Sequence, residues 1–357
     1  MNAAVIDLFC GIGGLTKGLE LAGLNVVAGI DIDESCRFAY ETNNHAQFVA
    51  GDINVVSSDM LQEFYPNDAL RILVGCAPCQ PFSKYTQRYR KDGRKDDKWR
   101  LLYAFSDLIE KIFPSVVSME NVPELVNEHI FKDFVARLRN LGYHCSWSIA
   151  YCPDYGVPQR RKRLVLLASL LGEITLIPPL FHEASYKTVR DAIGHLPQLR
   201  DGEVSEKDAM HCCTKMTDIN LRRIRQSVPG GTWKDWTKDL QLKCHQKTTG
   251  KSYMAVYGRM CWDEPSPTIT TQFYGYGNGR FGHPEQDRAL SYREGALLQS
   301  FSADYKFVTG YQSFNRRELG RHIGNAVPVE LGRAIGISIQ KHINEAEGNE
   351  SGKQDNG

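Results

Sequence analysis

The sequence predicts an α/β fold: a doubly wound, mostly parallel sheet with a smaller inserted domain. Three observations predict it. Short apolar runs alternate with helical patterns through the first half of the chain, and that alternation means parallel strands with helices on both faces. A Gly-rich turn, DLFCGIGG, follows the first apolar run and opens a helix, as ligand-binding turns of such sheets do. After about residue 185 the rhythm breaks, and basic and polar residues dominate to about 260.

The elements follow in order. AAVIDLF (3–9) reads as a buried strand, and LTKGLELAG (15–23) as a helix ending on Gly23. NVVAGIDID (25–33) is the next strand, followed by ESCRFAYET (34–42); QFVAGDI (47–53) and RILVGCAP (71–78) are further strands. RLLYAFSDLIEKIF (100–113) is a helix and SVVSMENV (115–122) a strand. The helix after it sets Val126, Ile130, Phe134, Leu138 and Leu141 on one face and stops at Gly142. RLVLLAS (163–169) closes the run. In ALSYREGALLQSF (289–301), Ser291 and Glu294 have capping-box spacing. VPVELGRAIGISIQKHI (327–343) is a final amphipathic helix, and the polar 344–357 reads as a disordered tail. The expected division is 1–185 for a ligand-binding core, 186–262 for an inserted module, 263–343 for a segment returning to the core, and 344–357 for the tail.

Bulk properties narrow the function. The chain has 357 residues, 42% hydrophobic and 24% charged, with net charge +1. It is no polycation, so an acidic partner must be held by local patches. The start has no basic n-region, and no run of about 18 apolar residues occurs, so neither a signal peptide nor a membrane span is expected. The ten cysteines are scattered and read as reduced thiols of a cytoplasmic protein.

The glycine turn carries Gly11, Gly13 and Gly14, but Thr16 stands where a dinucleotide fingerprint has its third glycine. A pyrophosphate is therefore disfavoured. Asp31 ends the second strand, where an acid can take ribose hydroxyls, and Asp52 ends the third. A tight turn with ordinary strand-end caps is the alternative. Beyond the fourth strand, VGCAPCQPFSKY (74–85) sets Cys79 on a loop at the same sheet edge. Such a cysteine is a nucleophile if its thiolate is favoured. Cys76 and Cys79 also have the spacing of a redox pair or half a zinc site, or of a structural turn. No second Cys/His pair at ligand spacing accompanies them, so no metal is expected.

With DLFCGIGG upstream and MENV downstream of PCQPFS, the chain resembles the DNA (cytosine-5)-methyltransferase family of the prokaryotic restriction-modification type. GVPQRRKRLVLLA, SPTITTQ, DRALSYREGALLQSF and GNAVP continue the match in order. It covers nearly the whole chain except 186–262 and the tail. The resemblance implies a Rossmann-like fold dependent on S-adenosylmethionine and assigns roles. The Cys79 thiolate adds to cytosine C6, so that C5 becomes nucleophilic enough to take a methyl group. Glu120 supplies a proton at N3, and Asn121 braces the cysteine loop. Arg163 meets cytosine O2 and Glu120, and Arg161 the neighbouring backbone or a phosphate; both join the catalytic set. Cys76 has no matching role and reads as packing. Phe9, Gly11, Gly13, Gly14, Asp31, Ile32, Asp52, Ile53, Pro78 and Asn325 are the implied cofactor residues.

The implied partner is double-stranded DNA, with the target base flipped out of the stack, and a cognate restriction endonuclease acting separately; a monomer is expected. Residues 84–100 carry eight Lys/Arg against three Asp, a basic loop suited to close over the base. Gln80, Ser83, Lys84, Arg88, Arg94 and Gln159 are the expected DNA contacts. Residues 186–262 carry fourteen Lys/Arg against eight Asp/Glu, with Tyr186, Trp233, Trp236, Tyr253 and Tyr257, a composition suited to target recognition. Three other readings compete: a transfer-RNA cytosine methyltransferase, a catalytically idle DNA-binding regulator, and a nicotinamide oxidoreductase, which the turn spacing disfavours.

Overall fold

The structure, a computed structural model, describes residues 2–78, 100–245, 247, 254–310 and 314–354. The chain divides into two compact units. One comprises Met1–Tyr151, Lys162–Leu180 and Val327–Gly357, the other Cys152–Arg161 and Phe181–Ala326. These limits differ from those read from composition: 152–161 goes with the second unit, and the return to the first comes at Val327. Composition marks chemistry, whereas packing decides what is compact.

The first unit is built on strands β1 (Ala3–Leu8), β2 (Asn25–Asp31), β3 (Gln47–Ala50), β4 (Leu70–Gly75), β5 (Val116–Asn121), β6 (His144–Tyr151) and β7 (Lys162–Ser169). Their order across the sheet is β3-β2-β1-β4-β5-β7-β6. β1 to β5 pair in parallel, and β7 runs antiparallel between β5 and β6. The order reverses between β1 and β4, and at such a switch point the crevice beyond the strand C-termini is where ligands bind.

Helices α1 (Gly14–Leu21), α2 (Arg37–Asn43), α3 (Ser58–Glu63), α4 (Arg100–Ile112) and α5 (His129–Asn140) intervene in chain order. α4 shows why these segments are helical: Leu102, Phe105, Leu108, Ile109 and Ile112 recur on one stripe and are buried. The core beneath them is apolar, with Ile6, Leu8, Ile30, Leu73, Val117, Met119 and Phe105 in one cluster. The six strands expected from sequence are present. β6 was not anticipated, because most of its residues are half-buried or exposed. A sheet-edge strand of that kind has no apolar run to betray it.

In the second unit the helices are short: α6 (Val189–Ile193), α7 (Asp218–Gln226), α8 (Tyr292–Leu298) and α9 (Arg316–Asn325). The capping box forms at the start of α8. The Glu294 amide donates to Ser291 Oγ at 3.1 Å, and the Ser291 amide to Glu294 Oε2 at 2.7 Å. The last helix, α10 (Val329–Gln354), belongs to the first unit and packs on α1. A Cβ at Gly18 would lie 2.4 Å from the Arg333 amide nitrogen and the Val329 carbonyl oxygen, so only glycine permits that approach. α10 also runs through residues 344–354, which composition read as disordered tail. No proline interrupts it, and Lys341–Glu345 adds an i,i+4 pair at 3.8 Å.

Candidate active site

The parallel ladder brings the ends of β1, β2, β3, β4 and β5 to one edge of the sheet. β1 gives way to a turn in which Phe9, Gly11 and Gly13 have φ of 61°, 50° and 84°. Glycine takes this left-handed region freely, while Phe9 takes it at a cost of roughly 1–3 kcal/mol. The Gly11 amide donates to Asp31 Oδ2 at 2.8 Å, and the Asp33 amide to Asp31 Oδ1 at 2.9 Å. Asp31 thus ties the glycine turn to the end of β2. Gly13 caps α1 and Gly14 begins it.

Next to this turn the apolar side chain of Ile32 is 72% exposed. The Asp52 carboxylate accepts from the Asn54 amide and Nδ2 at 2.9 and 2.7 Å, bonds that hold its pKa below the usual carboxylate value. Ile53 is buried in the core, so what it offers a ligand is its backbone.

Two residues not singled out from sequence support the turn from below. Thr16 Oγ1 donates to Asp7 Oδ2 at 2.7 Å and meets Tyr40 Oη at 3.0 Å. Burial pushes the Asp7 carboxyl up to about 7, against the Thr16 hydrogen bond. The signal that could have found Asp7 is a carboxyl inside an otherwise apolar strand.

β4 lies beside β1 with Gly75 opposite Leu8, and the Cys76 amide donates to the Leu8 carbonyl at 3.3 Å. The cysteine loop therefore leaves the sheet next to the glycine turn. Asn121 Nδ2 donates to the Ala77 carbonyl at 3.0 Å, the bracing expected of it. Pro78 follows and is exposed. Cys79, Gln80, Ser83, Lys84, Arg88 and Arg94 lie outside the described residues, as does Tyr253.

Glu120 stands at the end of β5, only 2% exposed. Arg163 Nε pairs with Glu120 Oε1 at 2.8 Å, because β7 runs beside β5 with Leu164 opposite Asn121. Cys76 Sγ donates to Glu120 Oε2 at 2.7 Å. Burial, then the Glu120 charge, pushes the Cys76 thiol well above its usual pKa, so it stays protonated. Cys76 was read as packing; it is instead a donor to the expected acid, which no motif spacing reveals.

The second unit holds Arg161, Gln159 and Asn325. Arg161 is buried, its Nη1 donating to the Ile269 carbonyl at 3.0 Å and the Gly324 carbonyl at 3.4 Å. Of the contacts expected for it, backbone is the one present, and these bonds are structural rather than catalytic. Gln159 was read as a DNA contact, but it is fully buried. Its Nε2 donates to the Leu298 carbonyl at 3.1 Å and Gln299 Oε1 at 2.8 Å, and its Oε1 accepts from the Ile269 amide at 2.8 Å. With no exposed surface it has nothing to offer a duplex. Arg160 is exposed and pairs with Glu264 at 2.8 Å. Asn325 ends α9, exposed. Trp233 and Trp236 are core residues of this unit.

A sequence model of the C-5 cytosine-specific DNA methylase family matches residues 3–341. The chain belongs to that family. As a C5 methylase it is a DNA (cytosine-5-)-methyltransferase. It is 54% identical over 346 residues to the Type II methylase M.HgiDII of Herpetosiphon aurantiacus, covering 96% of each chain. It is 32% identical over 355 residues to the Type II methyltransferase M.Sau96I of Staphylococcus aureus, covering 96% of this chain and 76% of that one. Among solved structures, it overlays with a TM-score of 0.72 and 20% identity on a protein described as a prophage-encoded DNA modification methyltransferase of E. coli. That overlay covers 96% of this chain and 100% of the other. The S. pombe Dnmt2 methyltransferase overlays at 0.64, with 18% identity, over 95% and 99% of the two chains. At such identities the overlays establish the fold, which for this C5 methylase is the Rossmann-like one expected from sequence.

Proposed function

We propose that this C5 methylase uses S-adenosylmethionine to methylate a cytosine flipped out of a specific double-stranded DNA sequence, through a covalent bond between Cys79 and C6. The observation that carries this reading is the Cys76–Glu120–Arg163 cluster, one strand over from the glycine turn on the same sheet edge. The cofactor fits the turn: glycines at left-handed backbone positions, Gly11 and Gly13, that leave the turn without side chains, carboxylates at and just beyond the ends of β2 and β3, and the exposed side chain of Ile32. Phe9, Gly11, Gly13, Gly14, Asp31, Ile32 and Asp52 would hold it, with the Ile53 backbone, Pro78 and Asn325. When bound, it supplies an electrophilic methyl group.

The chain's own residues prepare the base. The Cys79 thiolate forms a bond to C6, and Glu120 gives its proton to N3, which spares the ring a full negative charge. Arg163, held against Glu120, has guanidinium donors suited to cytosine O2. After C5 is methylated, a base takes the C5 proton, the Cys79 sulfur leaves as thiolate and the N3 proton returns to Glu120, which restores the ring. Gln80, Ser83, Lys84, Arg88 and Arg94 are proposed to face the DNA, and residues 186–262 to choose its sequence. We propose further that the enzyme works in the cytoplasm as a monomer, with a cognate restriction endonuclease acting separately.

The test is methyl transfer from labelled S-adenosylmethionine to duplex DNA and to RNA, with bisulfite sequencing of DNA from an expressing host. Methylation at one duplex sequence, abolished in Cys79→Ala, is expected. Turnover by Cys79→Ala, or methylation of RNA alone, overturns the reading.

A further inference from the structure

We propose that Cys76 is a positioning residue for this reaction: its thiol fixes the Glu120 carboxyl and favours the proton's departure from Oε2. The proposal rests on the role of Glu120 given above. Three contacts define the arrangement. Arg163 Nε holds Oε1 at 2.8 Å, Cys76 Sγ donates to Oε2 at 2.7 Å, and Asn121 Nδ2 anchors the Ala77 carbonyl directly after Cys76 at 3.0 Å. The two carboxyl oxygens thus meet different partners from the two flanking strands, a guanidinium charge at Oε1 and a thiol donor at Oε2.

The asymmetry decides where the proton sits. Beside a guanidinium, Oε1 is the poorer place for it, so the transferable proton belongs on Oε2. One lone-pair direction of Oε2 is taken by the thiol, which leaves the other for a base nitrogen. When the proton passes from Oε2 to N3, the oxygen becomes charged and the thiol keeps its own hydrogen. A hydrogen bond to a charged acceptor is stronger than one to a neutral acceptor. The Cys76 bond therefore strengthens as the proton leaves, and only such differential interactions raise the rate. Among the described residues, the titratable and charged groups around the thiol are Glu120 on β5, Arg163 on β7 and Asp7 on β1. Burial keeps the thiol protonated, and the Glu120 charge adds to this once the proton has left Oε2, so Cys76 remains a donor throughout.

The test compares Cys76→Ala, Cys76→Ser and Glu120→Gln with the wild-type enzyme, using duplex DNA and S-adenosylmethionine across a pH series. Cys76→Ala should lower kcat by about tenfold or more, with KM for DNA and cofactor little changed. The alkaline limb of its kcat profile should move to higher pH, because the ionised carboxylate has lost a donor. Cys76→Ser retains a donor and should recover most of the rate and the profile. A wild-type rate and profile in Cys76→Ala overturns the proposal. So does a Cys76→Ser enzyme as slow as Cys76→Ala, or a loss carried wholly by KM for DNA. If Glu120→Gln itself keeps the wild-type kcat, the underlying role of Glu120 fails and the proposal with it. If Glu120→Gln is slow while Cys76→Ala is not, the proposal alone fails.

Discussion

The two units of this molecule are held together by different physics. The first rests on a seven-stranded ladder and an apolar core. In the second, strand pairing among the described residues is confined to isolated bridges such as Arg259 with Gly282. Buried arginines stand where the first unit has strands. Arg259, 5% exposed, donates to the carbonyls of Ile224, Ser227, His283 and Gln286 at 2.8–3.1 Å and pairs with Asp287. Arg288 grips Glu294 through both oxygens at 2.8 and 2.6 Å. Arg223 bonds the Leu240 carbonyl at 2.9 Å and lies over the rings of Trp236 and Tyr257 at 5.6 and 5.3 Å. A guanidinium has five donors in a rigid fork, so one side chain can satisfy several irregular loops. The difference teaches that a region without periodic structure needs polar hubs to pair its buried carbonyls.

That contrast can be broken from either side. The largest effect is expected from Arg288→Met, which strands the Glu294 carboxylate without its partner. Burying an unpaired charge costs about 3–5 kcal/mol, and hydrogen exchange should show lost protection in the second unit while the ladder amides hold. Replacing Glu294 by Leu as well should recover part of the loss.

Leu73→Ala opens a cavity in the core of the first unit and should cost about 2–5 kcal/mol by denaturant unfolding. Here the protection lost should be that of the strand ladder.

The units should also titrate in opposite directions. Asp7, at about 7 against an ordinary 3.8, gives the first unit stability that is whole below 3.8. It is lost as pH rises toward 7, at no more than about 1.4 kcal/mol per pH unit. In the second unit, burial pushes the Glu294 carboxyl upward, but the charge and hydrogen bonds of Arg288, with His283 and the Ser291 amide, together outweigh it and bring it from 4.5 to about 2. Its contribution is whole above 4.5 and is lost as pH falls toward 2. Exchange protection measured at pH 2.5, 4.5 and 7.5 reads both trends, the lower pair for Glu294 and the upper pair for Asp7, and Asp7→Asn should flatten only the Asp7 trend.

The smallest effect belongs to Arg222→Ala. Its pair with Asp239 at 2.7 Å is exposed on both sides, and such pairs are worth about 0–1 kcal/mol. A melting shift as large as that of Arg288→Met would break the distinction between buried hub and surface pair.

Legibility in the sequence follows the same line. β1, β2, β4 and β5 could be read because a strand buried on both faces must be apolar along its length, and the turn after β1 because left-handed backbone calls for glycine. The strand ends, and with them Asp31, Asp52 and Glu120, followed from that pattern and one topological rule. β6 escaped because its edge position asks for no apolar run. Gln159 was misplaced because a polar residue in a basic stretch looks exposed until its partners, Leu298 and Ile269, are seen more than a hundred residues away.

Residue type and spacing alone thus determined the parallel sheet, the glycine turn and the set of chemically capable side chains, since periodic burial and backbone conformation act locally. Which donor meets which oxygen was left to tertiary structure. The Cys76 thiol and the Arg163 guanidinium share the Glu120 carboxyl only because β4, β5 and β7 pair in register. Arg161 and Gln159 became structural because loops distant in sequence close over them. A hydrogen bond depends on ångström-scale placement across the fold, and no local pattern of residues encodes that.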